Sequence, residues 1–227
     1  MNMIIYSNGC SHTHVHCVEK DEIWSSIVMK NFVTDYFMFI SSTNHFNVNL
    51  TNDDNILINE SRCGAGNDYI FHQTLETLTH LISNNKKPNY VFIQWSGPNR
   101  RQHCLPNGEY VNVNLYDNVE YHVKFEPMGS KHTLHYIYIL QEFLKDNNID
   151  YYFFNYMPLD KSIKNLSIYN NIDFSRIIDF DFGNDILLMG IMDYIKENNL
   201  SCDEMGHPNE NGNQYIANKI LNKICQK

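Results

Sequence analysis

Two residues at opposite ends of the chain could serve as a nucleophile and its base. Ser11 lies in residues 9–13 (GCSHT), directly after a short apolar run, and His207 lies in residues 203–208 (DEMGHP) near the C-terminus. A serine hydroxyl becomes a useful nucleophile when a neighbouring imidazole takes its proton. The pair therefore predicts nucleophilic catalysis, provided that the fold brings the two segments together.

An acidic residue close to His207 could accept its imidazole N–H and thereby fix the tautomer of the ring. Two acidic residues stand at suitable distances along the chain, Asp203 four positions and Glu204 three positions before the histidine. Their positions leave both open as the acid that orients His207.

Two further positions could stabilise the negative oxygen that forms when a hydroxyl attacks an ester carbonyl. Gly64 belongs to a glycine-containing loop, and glycine lets a backbone N–H approach a substrate closely. Asn99 ends the segment 97–99 (GPN) and could add a side-chain amide donor. We expect both to be candidates for binding the same oxyanion.

The elements around these residues alternate between strand and helix. Such alternation predicts a parallel sheet covered on both faces, a three-layer α/β/α fold, with reactive residues beyond the carboxyl ends of the strands. Residues 160–184 fit no single element, and 176–180 is a candidate short strand. Strands are predicted at 3–7, 55–59, 90–95 and 151–155, and helices at 22–32, 68–83, 131–145, 186–198 and 214–224.

Residues 104–125 differ from this pattern. Apolar residues alternate with polar ones from Val111 to Leu115, and Asn107-Gly108 is a turn signal typical of a β-hairpin. We interpret the segment as a hairpin inserted into one domain that spans residues 1–227.

The ordered set of motifs resembles the SGNH (GDSL-like) hydrolases. Their blocks run G-[DC]-S near the N-terminus, an isolated Gly, G-x-N, and D-x-x-H-P near the C-terminus. Here they resemble residues 9–11, Gly64, residues 97–99 and the segment that ends at His207-Pro208, so the resemblance covers roughly residues 3–220. Each motif is short, and the ordered set is far more specific than any one of them.

The resemblance implies a flavodoxin-like sheet and ester hydrolysis without a cofactor. It gives Ser11 the role of nucleophile and His207 that of base, with Ser11, Gly64 and Asn99 as oxyanion donors. The expected substrate is a small acyl ester, such as an O-acetyl group on a glycan. Transfer of the acyl group to an alcohol other than water is the same chemistry up to the acyl-enzyme and stays open.

Three positions depart from the family pattern. Cys10 replaces the usual Asp of the first block, a substitution associated with phage-like and bacterial relatives, and Arg100 follows the G-x-N where Asp is usual. In the last block the residue type favours Asp203 as the acid, whereas the family spacing favours Glu204.

Composition excludes several classes of partner. With a formal charge of −9 and only two short basic pairs, Lys86-Lys87 and Arg100-Arg101, the chain lacks a nucleic-acid-binding surface. We find neither a secretory signal nor an apolar run long enough for a membrane helix, which predicts a cytoplasmic protein, or a virion-associated one if it comes from a phage. Six scattered cysteines without CxxC spacing predict reduced, intracellular thiols.

Two alternatives to a hydrolase stay open. His12, His14 and His16 alternate and are followed by Cys17, and with His103-Cys104 they could hold zinc. Alternatively, the fold could act without catalysis as a glycan-binding or particle-assembly module, with residues 104–125 facing the glycan.

Overall fold

A five-stranded sheet forms the centre of the protein. The computed structural model describes residues 2–14, 17–34, 36–41, 54–104, 110–114, 119–181 and 185–226, with the backbone alone for 101–126. The strands are β1 (Ile4–Asn8), β2 (Met38–Ser41), β3 (Ile56–Asn59), β4 (Tyr90–Trp95), β5 (Arg100–Cys104), β6 (Tyr110–Asn114) and β7 (Asp150–Asn155). The helices are α1 (Trp24–Phe32), α2 (Asn67–Ser83), α3 (Val119–Asp146), α4 (Met192–Glu197) and α5 (Glu210–Cys225).

The main sheet is parallel throughout and has the strand order β2-β3-β1-β4-β7. Strands β3, β4 and β7 are nearly continuous apolar runs, as expected for strands that are buried on both faces. In the register, Ser7 of β1 pairs with Asn59 of β3 and with Phe92 of β4. The carboxyl ends of these strands therefore meet along one edge, and β1 is the point at which the chain changes direction across the sheet.

Helices cover both faces of the sheet. Side chains that alternate along each strand divide the core, so that Tyr6, Ile58 and Ile93 pack with α2 and α3 on one face. On the other face, Leu57 and Phe92 pack with α1 and α5. The predicted three-layer α/β/α fold is thus confirmed, with a five-stranded parallel sheet.

The predicted helix at 186–198 is wrong in its first half, because only α4 is helical. Backbone N–H groups of Ile191 and Met192 donate to the carbonyls of Asn155 and Tyr156 at the end of β7. Gly190 lies so close to this segment that a Cβ would stand 2.5 Å from Met157 Cα. The chain here is held against β7 by these contacts, and the helix begins after them.

Two other regions differ from prediction. The edge strand β2 was not predicted, and residues 176–180 contribute one isolated bridge, Phe153 to Ile177, rather than a strand. Residues 161–176 instead contain three short 3₁₀ turns, two of which begin with an Asp side chain that accepts a backbone N–H.

The antiparallel pair β5–β6 forms a separate two-stranded sheet from residues 100–104 and 110–114. It begins earlier than the predicted excursion at 104–125, and α3 begins at Val119 within that range. The turn signal Asn107-Gly108 lies outside the described residues. Since β5 starts directly after Asn99, this hairpin adjoins the carboxyl edge of the main sheet.

The prediction that all cysteines are reduced is wrong for two of them. Cys17 and Cys202 form a disulfide, whereas Cys10, Cys63 and Cys225 are free. The bridged residues are 185 positions apart, so that their proximity depends on the completed fold. Of the helices in the described part of the chain, none has the length and apolar character needed to cross a membrane.

Candidate active site

The loop after β1 presents Ser11. Backbone N–H groups of Thr13 and His14 both donate to the carbonyl of Cys10, which folds residues 10–14 into a tight turn. Gly9 is required at its start, because a Cβ there would lie 2.4 Å from Thr13 Oγ1. The turn leaves Ser11 at the carboxyl edge of the sheet with 8% of its surface exposed.

His207 lies in a narrow loop between α4 and α5. Backbone bonds from Cys202 N–H to the His207 carbonyl and from Asn209 N–H to the Leu200 carbonyl, both 2.8 Å, bring the two sides of this loop together. Gly206 allows the chain to reverse direction in this loop, since its φ of +83° is a left-handed conformation that glycine adopts without strain. We call residues 200–209 the base loop.

The base loop brings His207 against Ser11. Ser11 Oγ lies 2.9 Å from His207 Nε2, and His207 Nδ1 lies 2.5 Å from Asp203 Oδ2. Asp203 Oδ1 also accepts the backbone N–H of His207 at 3.1 Å. Of the two acids that the sequence left open, Asp203 is therefore the one that contacts the imidazole, whereas Glu204 is exposed to solvent.

Asp203 carries the negative charge that this contact with the imidazole N–H requires. Burial alone would raise the pKa of its carboxyl, but hydrogen bonds from the His207 side chain and backbone, together with the charge of His207, hold that pKa below its usual value. Asp203 therefore stays ionised at neutral pH and can accept the imidazole N–H.

Gly64 lies in the loop after β3, directly beside the tight turn of residues 10–14 that carries Ser11. Arg62 N–H donates to the Gly9 carbonyl at 3.1 Å, and Ala65 N–H donates back to the Arg62 carbonyl. Gly64 has a φ of +74°, which explains why glycine suits this turn. The structure therefore brings the Gly64 loop to the same edge as Ser11.

Asn99 lies on the other side of β1, in the turn that leads from β4 to β5. It is buried, with 8% of its surface exposed. Asn67, the first residue of α2, stabilises this turn: its Oδ1 accepts the Ser96 N–H at 2.6 Å and its Nδ2 donates to the Ser96 carbonyl at 3.1 Å. The sequence analysis did not single out Asn67, since an Asn at the start of a helix has many ordinary roles.

A cleft of ≈ 160 Å³ opens next to the Asn99 turn. A larger cavity of ≈ 590 Å³ lies between α1 and β2, and its lining residues belong to neither the Ser11 turn nor the base loop. The smaller cleft adjoins the site only at the turn that carries Asn99, since its lining includes Pro98 and Arg100 but not Ser11 or His207. Its described lining residues are Asn67, Asp68, Pro98, Arg100, Gly129, His132, Thr133 and Tyr136.

The histidines proposed as zinc ligands do not gather in the described part of the chain. There the only group of three metal-ligating side chains close enough to share an ion is Cys17, Cys202 and Asp203, and its two cysteines are joined in a disulfide. His12 lies at the site instead, 3.0 Å from Cys10 Sγ through its Nδ1. His16 and the side chains of His103 and Cys104 lie outside the described residues.

Tyr156, at the end of β7, is a site residue that the sequence analysis missed. Its hydroxyl donates to the Gly206 carbonyl of the base loop, and its ring stacks on His12 with centroids 3.5 Å apart. Desolvation raises the pKa of the Tyr156 hydroxyl well above its ordinary value, so the group remains a donor. The only sequence signal was an aromatic residue at the carboxyl end of a buried strand.

Several solved structures share this architecture. A lipolytic protein of the G-D-S-L family from Desulfitobacterium hafniense DCB-2 is 12% identical with a TM-score of 0.52, over 98% of this chain and 99% of that one. The psychrotrophic esterase EstA from Pseudoalteromonas sp. is 13% identical with a TM-score of 0.52, over 99% and 98%.

A third structure, an SGNH hydrolase from Slackia heliotrinireducens, is 11% identical with a TM-score of 0.50, over 99% of this chain and 100% of that one. Neither a protein-family profile nor a curated protein sequence matches the chain. At these identities the likeness shows a shared fold over the whole length of each protein.

Proposed function

We propose that this protein, which has the fold of the SGNH (GDSL-like) hydrolases, is a serine ester hydrolase. The observation that carries the proposal is the continuous contact from Ser11 Oγ to His207 Nε2, at 2.9 Å, and from His207 Nδ1 to Asp203. A hydroxyl, an imidazole and a carboxylate in this order are the groups that acyl transfer requires.

In the first half of the reaction, Ser11 Oγ attacks the acyl carbon of the ester while its proton passes to His207 Nε2. The charge that this places on the imidazole is stabilised by Asp203, which accepts the Nδ1–H. His207 then gives the proton to the departing alcohol oxygen as the C–O bond breaks, which leaves the acyl group on Ser11.

The second half repeats these steps with water. His207 takes a proton from the water as its oxygen attacks the acyl carbon, and returns a proton to Ser11 Oγ as the carboxylic acid leaves. In each half a negative oxygen forms on the acyl carbon. The backbone N–H groups of Ser11 and Gly64 and the side-chain amide of Asn99 are the donors that we assign to it.

A cleft of ≈ 160 Å³ lies beside the Asn99 turn, and Pro98 and Arg100, which flank Asn99, belong to its lining. Ser11 and His207 do not line it, so we assign it to the alcohol part of the ester rather than to the acyl group. Polar side chains line it, among them Asn67, Asp68 and Arg100, and these suit a hydroxyl-rich alcohol. We therefore propose an O-acetyl group on a carbohydrate as the substrate class.

Replacement of Ser11 by Ala tests the proposal. We expect hydrolysis of a short-chain aryl ester to fall by about 10³-fold or more, because the nucleophile is removed while backbone donors remain. Ser83→Ala is the matched control, since Ser83 is an exposed serine that bonds to its own helix. Circular dichroism should be the same for all three proteins.

A covalent probe gives a second readout. An organophosphonate ester should add one phosphonyl group to Ser11, seen as a mass increase on the peptide that contains it, in the native protein and in Ser83→Ala. Undiminished turnover in the Ser11→Ala protein, or labelling at another residue, would overturn the assignment.

A further inference from the structure

His12 follows the nucleophile in the chain and is buried between two other aromatic rings. Its imidazole stacks on the His207 ring, with centroids 4.5 Å apart and an interplanar angle of 20°. Its opposite neighbour is Tyr156, at 3.5 Å and also 20°. Only 4% of His12 is exposed, so its ring is a fixed part of the site.

Both ring nitrogens of His12 face other groups. Nδ1 lies 3.0 Å from Cys10 Sγ, and Nε2 faces the Met205 carbonyl oxygen of the base loop at 3.5 Å. Cys10 is in turn held by Gln94, whose Nε2 donates to its sulfur at 3.4 Å. These contacts, together with the stacked rings on either side, restrain the rotation of the His12 ring.

The catalytic imidazole needs such a neighbour. Its ring can turn about the Cβ–Cγ bond, and its hydrogen-bonding partners, Ser11 at Nε2 and Asp203 at Nδ1, oppose that rotation at the ring edge. A second ring packed flat against its face opposes the rotation directly, because turning about Cβ–Cγ would drive ring atoms into that neighbour.

We propose that His12 is a positioning residue that holds the plane of the His207 imidazole against Ser11, through a stack of Tyr156, His12 and His207. This inference rests on the proposed function, because positioning the base matters only if His207 transfers protons. It also assigns a role to the histidine and the cysteine that flank Ser11, which the proposed hydrolysis does not use.

His12→Ala removes the stacked ring. We expect kcat to fall by about 10- to 100-fold, the range that a small misplacement of a reacting group produces, with KM within about 3-fold. His135→Ala is the matched control, because His135 is exposed and bonds only to its own helix. It should keep the native kcat and KM.

Two further substitutions separate the stack from the hydrogen bonds. His12→Phe keeps a flat ring and should retain kcat within about 5-fold of native, whereas His12→Asn keeps a polar atom for Cys10 but loses the ring and should resemble His12→Ala. His12→Phe also fills the same space, so it answers the question if His12→Ala fails to fold. Equal kcat in His12→Phe and His12→Ala would overturn the proposal.

A readout without turnover uses the Ser11→Ala protein. The proton that His207 Nδ1 donates to Asp203 at 2.5 Å should give a far-downfield proton NMR resonance. It should persist when His135→Ala is added, and broaden or disappear when His12→Ala is added. An unchanged resonance in the His12→Ala protein, or a kcat within about 2-fold of the control, would overturn the role of His12. Activity surviving in Ser11→Ala alone would instead contradict the proposed function.

Discussion

The two sides of Ser11 are built in different ways. On the base side, Asp203 and His207 are held by backbone bonds across the base loop, by Tyr156 and by the disulfide that ends at Cys202. On the side that we propose to hold the oxyanion, the corresponding groups are the backbone of Gly64 and the side chain of Asn99. They depend on the conformation of two turns, one at a φ of +74° and one stabilised by Asn67.

This difference agrees with what each side has to do in the proposed mechanism. The base must move protons between two atoms without changing place, and a ring fixed from several directions achieves that. The oxyanion donors must point at an oxygen that carries full charge only in the transition state, so they need a fixed direction but no proton transfer. Substitutions on the two sides should therefore differ in size and in kind.

The largest effect is expected on the base side, for Asp203→Asn. An amide in place of the carboxylate favours the wrong imidazole tautomer and cannot stabilise the imidazolium, so kcat should fall by about 10³- to 10⁴-fold. Steady-state kinetics with a short-chain aryl ester would measure it. Glu204→Gln is the matched control, since Glu204 is the adjacent acid and is exposed. Equal, negligible losses in the two variants would show that neither carboxylate orients His207.

On the oxyanion side, Asn99→Ala should have the next largest effect. Loss of one donor to the charged oxygen typically costs about 10²–10³ in kcat, with little change in KM. Asn209→Ala is a useful contrast, because it removes a helix cap rather than a donor and should lower stability by about 1 kcal/mol. A rise in KM without loss of kcat in Asn99→Ala would place Asn99 in ground-state binding instead.

The disulfide should matter more to stability than to catalysis. Replacing both Cys17 and Cys202 by Ser removes a link that closes a long loop, and should lower the free energy of unfolding by about 2–4 kcal/mol. Because the backbone bond from Cys202 N–H to the His207 carbonyl remains, we expect kcat to change by less than about 5-fold. Urea unfolding and kinetics would measure the two quantities, with Cys225→Ser as control.

A large fall in kcat in the double serine variant, at unchanged stability, would contradict the prediction that the disulfide affects stability more than catalysis. It would mean that the disulfide, rather than the backbone bonds of the base loop, sets the position of Asp203. Wild-type protein treated with a thiol reductant should behave like the double variant, which separates loss of the link from any effect of the substituted side chains.

The sequence predicted most of the strands and the loops that follow them. Buried parallel strands are continuous apolar runs, so β1, β3, β4 and β7 were predicted to within one or two residues. The loops that follow β1, β3 and β4 carry Ser11, Gly64 and Asn99, because the strand ends of such a sheet meet at one edge. The short edge strand β2 was missed, since four residues carry too little periodicity.

Contacts between distant segments could not be predicted in this way. Nothing in the spacing of Cys17 and Cys202 indicates that they meet, and the alternation of His12 and His14 suggested a metal rather than a stacked ring. Residue type favoured Asp203 and the family spacing favoured Glu204, so the sequence left both acids open. Their difference arises from the base loop, in which Gly206 turns back at a φ of +83° and brings His207 against the earlier acid.

The smallest expected effects concern two free thiols, one on each side of Ser11. Burial would raise the pKa of Cys10, but the charge of His12, its hydrogen bond and the charge of Arg100 lower that pKa to about 6. Partial burial and the neighbouring Cys10 raise the pKa of Cys63, which lies beside Gly64. A pH titration of thiolate ultraviolet absorbance should show a step near pH 6 that Cys10→Ser removes and Cys63→Ser retains.

Ionisation of Cys10 also makes a signed contribution to stability. Because its pKa in the folded protein is below the ordinary 9.0, the folded state releases the proton first, and the contribution is lost as the pH falls through about 6. Between pH 6 and pH 9, the unfolding free energy of the wild type should therefore rise relative to that of Cys10→Ser. A difference that stays constant over this range would contradict the low pKa.

Of these two thiols, the one that ionises more readily, Cys10, should be the less reactive. Cys10 is 1% exposed, so its thiolate is inaccessible to an alkylating reagent, whereas Cys63 is exposed and reacts through its small ionised fraction. At neutral pH, peptide mapping after brief treatment with iodoacetamide should find Cys63 modified and Cys10 intact until the protein unfolds. Faster modification of Cys10 would mean that the base side opens on the timescale of the reaction. The more rigid side of the site would then be the oxyanion side, the reverse of the comparison drawn from the static contacts.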